Sequence, residues 1–124
     1  MPIGHLGINV TDLARSKAYY DELMPLVGFE PFFAADDEFS YRPAASKPGT
    51  YVFFYAALEE DAYSRHRPGL QHLAFIVHTR DAVRAAFEWA QHRGSEAVHR
   101  HCIGRLGSAP DGFGRAQVTA RPTK

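Results

Sequence analysis

The chain has 124 residues and a mass of 13.9 kDa, the size of one domain and enough to bury a single sizeable core. With 45% hydrophobic and 23% charged residues it has the composition of a folded globular protein, and its longest apolar run, Tyr51 to Leu58, is far below the ~20 residues a membrane span needs. The formal charge is zero, and the single cysteine, Cys102, excludes an intramolecular disulfide and cysteine-rich zinc modules.

Residues 5–10, His-Leu-Gly-Ile-Asn-Val, alternate as a strand does, with Leu6, Ile8 and Val10 on one face. Thr11 or Asp12 can cap a helix that runs to about Met24. Its apolar side is Leu13, Tyr20, Leu23 and Met24, and Gly28 stands beyond its C-terminus. Three strands are expected next, at Glu30–Ala35, Glu38–Ala44 and Thr50–Leu58. They are rich in Phe, Tyr and Val and are separated by Asp36-Asp37 and Ser46-Lys47-Pro48-Gly49. A polar connection covers 59–69.

The opening then recurs. Residues 72–77, His-Leu-Ala-Phe-Ile-Val, match the first strand position for position, with Leu73, Phe75 and Val77 on the corresponding face. Thr79 or Asp81 can cap a helix to about Arg93, with Val83, Ala86, Phe87 and Ala90 as its stripe. Gly28 and Gly94 lie 23 and 22 residues beyond the two leading histidines. Further strands are expected at Glu96–His101, at Cys102–Leu106 and, after the turn Pro110-Asp111-Gly112, at Phe113–Ala120, although residues 101–109 lack the apolar alternation of a central strand. The unit is β-α-β-β-β stated twice in one domain: a first module over about 3–58, a linker over 59–69 and a second module over about 70–120.

Charge is uneven, with 6 Lys/Arg against 10 Asp/Glu in residues 1–79 and 8 against 4 in 80–124. The basic residues are scattered rather than gathered into a stripe, so no nucleic acid partner is expected, nor a membrane. The opening residues lack a basic segment followed by an apolar one, and a cytoplasmic protein is the default expectation. Neither a phosphate-binding glycine loop nor a Gly-x-Ser-x-Gly elbow is present.

The repeat carries the chemistry. If Leu6 and Leu73 face the helices, then His5 and Asn9, and likewise His72 and His78, point to the opposite face. Singly, each histidine is more often a solvated or hydrogen-bonded residue. Paired on equivalent strands, His5 and His72 are candidates to share a metal ion, since neutral imidazole suits Zn, Fe, Ni and Cu. Tyr51, Phe53 and Tyr55 fall on one face of their strand and Val52, Phe54 and Ala56 on the other. One of these sets is expected to line an aromatic, largely apolar cavity. His66, His92, His99 and His101 show no convincing ligand spacing.

His5-Leu-Gly-Ile-Asn-Val-Thr-Asp-Leu-Ala-Arg-Ser-Lys-Ala-Tyr-Tyr, Leu26-Val-Gly-Phe, Gln71-His72-Leu-Ala-Phe-Ile-Val and Pro110-Asp-Gly-Phe together resemble the vicinal oxygen chelate superfamily. It includes glyoxalase I, fosfomycin and bleomycin resistance proteins and extradiol dioxygenases. The resemblance implies an α+β fold in which two βαβββ modules form a cupped mixed sheet with helices on the outer face. It also implies a divalent metal (Zn, Ni, Mn or Fe), with His5 and His72 as ligands and a carboxylate from the last strand. The usual Glu position falls on Ala116, and no acidic residue follows Asp111. A one-residue bulge would bring Gln117 to the metal instead, a neutral oxygen donor weaker than a carboxylate.

From the strand faces, Asn9, Tyr51, Phe53, Tyr55 and His78 are the residues expected to line the cavity. The expected activity is that of a metal-dependent lyase or isomerase, less often a dioxygenase, acting on a small oxygenated molecule. The alternative is a non-catalytic binding protein of the bleomycin-resistance type that sequesters an aromatic or polycyclic ligand. Glutathione-linked glyoxalase chemistry is not implied, because its pair of Glu ligands has no counterpart. A homodimer is the expected assembly.

Overall fold

The computed structural model describes residues 3–59, 66–70 and 73–93, and the backbone of 114–116. It divides into two compact units, Met1–Ala62 and Tyr63–Lys124. The fold is mixed α+β.

The first unit runs β1 (His5–Val10), α1 (Leu13–Leu26), β2 (Phe29–Ala34), β3 (Glu38–Pro43) and β4 (Tyr51–Ala56). This is the β-α-β-β-β order read from the sequence, with boundaries within two residues of those expected. Its sheet is open and mixed, in the order β1-β4-β3-β2. β1 and β4 are parallel, whereas β4–β3 and β3–β2 are antiparallel. Of the two candidate caps, Asp12 is the one used: its carboxylate accepts from the Arg15 N–H at 3.0 Å, satisfying an amide that has no partner inside the helix. Pro25 sits in the last turn. The Val27 N–H turns back to the Met24 carbonyl, and Gly28, at φ +88°, takes the left-handed conformation that releases the chain into β2.

The core of this unit lies between α1 and one face of the sheet. Leu23, Met24 and Val27 meet Phe39, Tyr41, Val52 and Phe54, all buried. Phe54 is fully enclosed, nearly parallel to Phe39 with ring centroids 4.9 Å apart and 4.2 Å from Tyr20. The Tyr41 hydroxyl donates to Asp21 Oδ1 at 2.8 Å, which gives a buried phenol its partner, while Lys17 Nζ meets Asp21 Oδ2 at 2.6 Å. Burial pushes the Tyr20 and Tyr41 phenols well above the usual tyrosine range. The Asp21 carboxylate adds to the effect at Tyr41, and Tyr19 adds to it at Tyr20.

In the second unit β5 (Phe75–Val77) leads to α2 (Arg80–His92), and β6 (Gly114–Ala116) pairs with β5. Thr79 is the cap, its hydroxyl accepting from the Ala82 N–H at 3.1 Å. Val83 and Ala86 are buried and Phe87 and Ala90 half-buried, the stripe expected of α2. Phe75 and Val77 are buried and Ile76 is exposed, as the alternation requires. β5 begins three residues later than the sequence suggests and pairs with the three residues of β6. That pairing is antiparallel, Phe75 opposite Ala116, Ile76 opposite Arg115 and Val77 opposite Gly114, whereas β1 and β4 run parallel. Gly94, the strands expected at 96–106 and the Pro110-Asp111-Gly112 turn lie outside the described residues. Among the described residues no helix is long and apolar enough to cross a membrane.

Candidate functional site

One face of the first unit's sheet is packed against α1; the other carries His5. Cross-strand register lays out this second face in rows. On β1 and β4, His5 lies opposite Tyr51, Gly7 opposite Phe53 and Asn9 opposite Tyr55. Phe53 and Tyr55 in turn oppose Ser40 and Glu38 of β3. On β2, Phe33 opposes Ser40 and Glu30 opposes Arg42. His5 therefore shares its face with the three aromatic residues of β4, as the period of two demands. The set Val52, Phe54, Ala56 faces the other way, with Val52 and Phe54 in the core.

The rings form a connected group. The His5 imidazole meets Phe53 edge-on at 5.7 Å. Phe53 and Tyr55 are nearly parallel, 10° apart, with centroids separated by 6.3 Å. Phe32 joins edge-on to Tyr51 at 5.0 Å and to Phe53 at 6.4 Å. Phe32 stands on this face by the same alternation that places Glu30 there, and the β2–β3 register shift between Pro31 and Phe33 brings Phe33 opposite Ser40 on that face as well. The Arg42 guanidinium lies over the Phe32 ring, 5.6 Å from its centroid, and its Nε donates to Glu30 Oε1 at 2.8 Å. Phe32, Phe33 and Tyr55 remain 47%, 49% and 37% exposed. These rings leave aromatic surface exposed on one sheet face.

Gly7 belongs to this face as well. Its φ is not in the left-handed region, so its backbone alone does not call for glycine; its use is steric. A Cβ there would stand 3.3 Å from Tyr55 Cε2, closer than a carbon–carbon contact prefers. A glycine inside a strand marks a close approach of this kind.

Of the residues named from the sequence, His5, Asn9, Tyr51, Phe53 and Tyr55 stand on this one face. His78 is exposed directly after β5 in the second unit. His72 and Gln117 lie outside the described residues. Phe32, Arg42 and Gly7 were not among the site residues named from the sequence. A lone glycine amid strand alternation could have pointed to Gly7 and the period of two along β2 to Phe32, but nothing local announces the bulge that turns Phe33 to the same face.

A catalytic divalent metal needs about three protein donors. Among the described residues no group of three His, Cys, Asp or Glu is gathered, and on this face His5 supplies one imidazole. The described donors alone do not fit such an ion.

The profile of the glyoxalase/bleomycin resistance protein/dioxygenase superfamily matches residues 2–114. The chain belongs to this superfamily. Proteins of the glyoxalase superfamily bind small molecules and typically use a divalent metal. Two solved structures share the fold. One, described as "a putative glyoxalase from Bacillus halodurans", is 23% identical with a TM-score of 0.71, over 96% of this chain and 95% of that one. The other, a glyoxylase/bleomycin resistance protein/dioxygenase domain from Frankia sp. EAN1pec, is 18% identical with a TM-score of 0.62, over 97% and 98% of the two chains. No curated protein matches this glyoxalase-superfamily chain.

Proposed function

We propose that this glyoxalase-superfamily protein binds a small, largely apolar, oxygen-bearing molecule on the His5 face of its first sheet. The observation that carries the reading is the continuous group of rings, His5, Phe53, Tyr55, Phe32 and Tyr51, held on a face that α1 leaves open. Apolar ring surface supplies the driving force, and a few polar groups at its margins fix orientation. Here those are the His5 imidazole, the Asn9 amide, the Tyr51 and Tyr55 hydroxyls and the Arg42 guanidinium. Titration calorimetry with 2-naphthol as the probe tests it. Binding in the micromolar range, weakened at least tenfold by Phe53→Ala, is the expected result. No binding up to millimolar probe, or equal binding by the variant, overturns it.

A second reading is favoured by one observation: the imidazole of His5 stands on the same face as the rings. In that reading the protein is a metal-dependent lyase or isomerase, less readily a dioxygenase, with His5, His72 and Gln117 as the ligands. Purified protein then takes up Zn, Ni, Mn or Fe at micromolar concentration, and His5→Ala and His72→Ala each abolish uptake. Failure of all four metals to bind removes it. We extend the proposal to a homodimer, on the pairing of modules common in the superfamily; a monomer by light scattering contradicts that.

A further inference from the structure

We propose that the His5 face takes a ligand bearing a carboxylate, and that the terminal nitrogens of Arg42 are the donors that hold it. The inference rests on the ligand-binding reading above and adds the ligand's charge and its direction along the sheet. Arg42 follows Tyr41, which is buried and pairs with Val52, so alternation turns Arg42 to the His5 face at the level of Tyr51. Its guanidinium is held in two ways. Glu30, directly across on β2, accepts from Nε at 2.8 Å, and the Phe32 ring centroid lies 5.6 Å from the guanidinium carbon. With the two side chains 45% and 38% exposed, this ion pair adds little to stability. What it provides is a fork fixed before a ligand arrives, which lowers the ordering cost of binding. Both terminal NH2 groups remain, and among the described residues no side chain or carbonyl accepts from them.

The two ends of the face differ in charge. At one end Arg42 is joined through Phe32 to Tyr51, ring centroids 5.0 Å apart, and His5 lies opposite Tyr51 on β1. At the other end Glu38 opposes Tyr55 from β3 and Asn9 opposes it from β1, with the exposed Asp36 and Asp37 just before Glu38. The stretch of β4 from Tyr51 to Tyr55 sets the ends about 13 Å apart. An anionic group is therefore repelled from the Glu38 end and drawn to Arg42, which fixes which way round the ligand lies. The charge beside Arg42 also selects among anions. Glu30 already offsets the guanidinium, so a doubly charged phosphate meets net repulsion there, whereas a singly charged, planar carboxylate matches the fork of NH2 groups.

The test compares 2-naphthoate with 2-naphthamide, its uncharged counterpart of the same shape, and with 2-naphthyl phosphate. Affinities are measured by titration calorimetry at low salt on the wild-type chain, Arg42→Met and Arg42→Lys, with thermal melting to confirm that each variant is folded. The wild type is expected to prefer the carboxylate to the amide at least tenfold, and to bind the phosphate more weakly than the carboxylate. Arg42→Met reduces the preference over the amide to threefold or less while its affinity for the amide stays within threefold of the wild type's. Arg42→Lys, which keeps the charge and loses the fork, retains less than half of the wild-type preference. Equal binding of carboxylate and amide by the wild type overturns the carboxylate site and leaves the binding face intact. So does an equal loss of both probes in Arg42→Met, which would make Arg42 only a support for Phe32. Full preference in Arg42→Lys, or tighter binding of the phosphate, overturns recognition by the fork. Absence of binding by all three probes overturns the binding face and the carboxylate site together.

Discussion

Tyr41 shows how one buried polar atom is handled in this fold. Its ring is 1% exposed, and its hydroxyl is stabilised by donation to Asp21, at the edge of α1. Tyr41→Phe keeps the ring and leaves the carboxylate partly solvated, so urea unfolding at pH 7 should show a loss of about 1–2 kcal/mol. The same residue, with Tyr20, sets an alkaline limit. Both phenols are held above their unfolded-state value, so below about pH 10 both states are protonated and stability is unaffected by them. Above it the unfolded chain loses its protons first and the folded state is progressively disfavoured. The urea midpoint should be level from pH 7 to 9 and fall by pH 11, less steeply in Tyr41→Phe. An equally steep fall in the variant would show that Tyr41 carries none of it.

At the scale of elements, the two helices are set by single residues that the sequence could only narrow to pairs. Asp12 rather than Thr11, and Thr79 rather than Asp81, accept from the amide three residues on. Asp12→Ala should cost about 1 kcal/mol by urea denaturation and Asp12→Ser close to nothing. The sheet of the first unit depends on the face opposite His5. There Phe54 is 0% exposed and packed on Phe39 and Tyr20. Phe54→Ala should destabilise by about 3–5 kcal/mol, enough to unfold a domain of ordinary stability. A loss below about 1 kcal/mol would mean that the ring stack is not the centre of this core. β1 to β4 were legible because alternation along 5–10 and the aromatic-rich runs and turn residues of 29–56 mark them. β5 was legible by its likeness to β1, but its length was not, since a ladder runs only as far as its partner. Register lies further from reach: the bulge that brings Phe33 opposite Ser40, on the face Phe32 already occupies, depends on how two strands meet, which neither strand encodes alone.

For the molecule as a whole, the duplicated pattern and the superfamily profile over residues 2–114 agree on the fold. Half of the candidate site was legible for the same reason. His5, Asn9, Tyr51, Phe53 and Tyr55 stand on one face because the side-chain period of a strand is two, and the parallel register of β1 on β4 brings the two sets side by side. His72 and Gln117, the other two expected ligands, lie outside the described residues. The ligand face and a metal are thus separable. With chelator present, 2-naphthol affinity should change by less than threefold if the rings alone hold it; a tenfold loss would make a metal part of the binding face.

The most direct test of that face is amide chemical-shift mapping of the nitrogen-15-labelled chain titrated with 2-naphthol. The perturbed amides should centre on Gly7, Asn9, Phe53 and Tyr55, with Leu23, Met24 and the remainder of α1 unmoved. Shifts gathered on α1 or α2, with β1 and β4 silent, would place the ligand elsewhere and contradict the account.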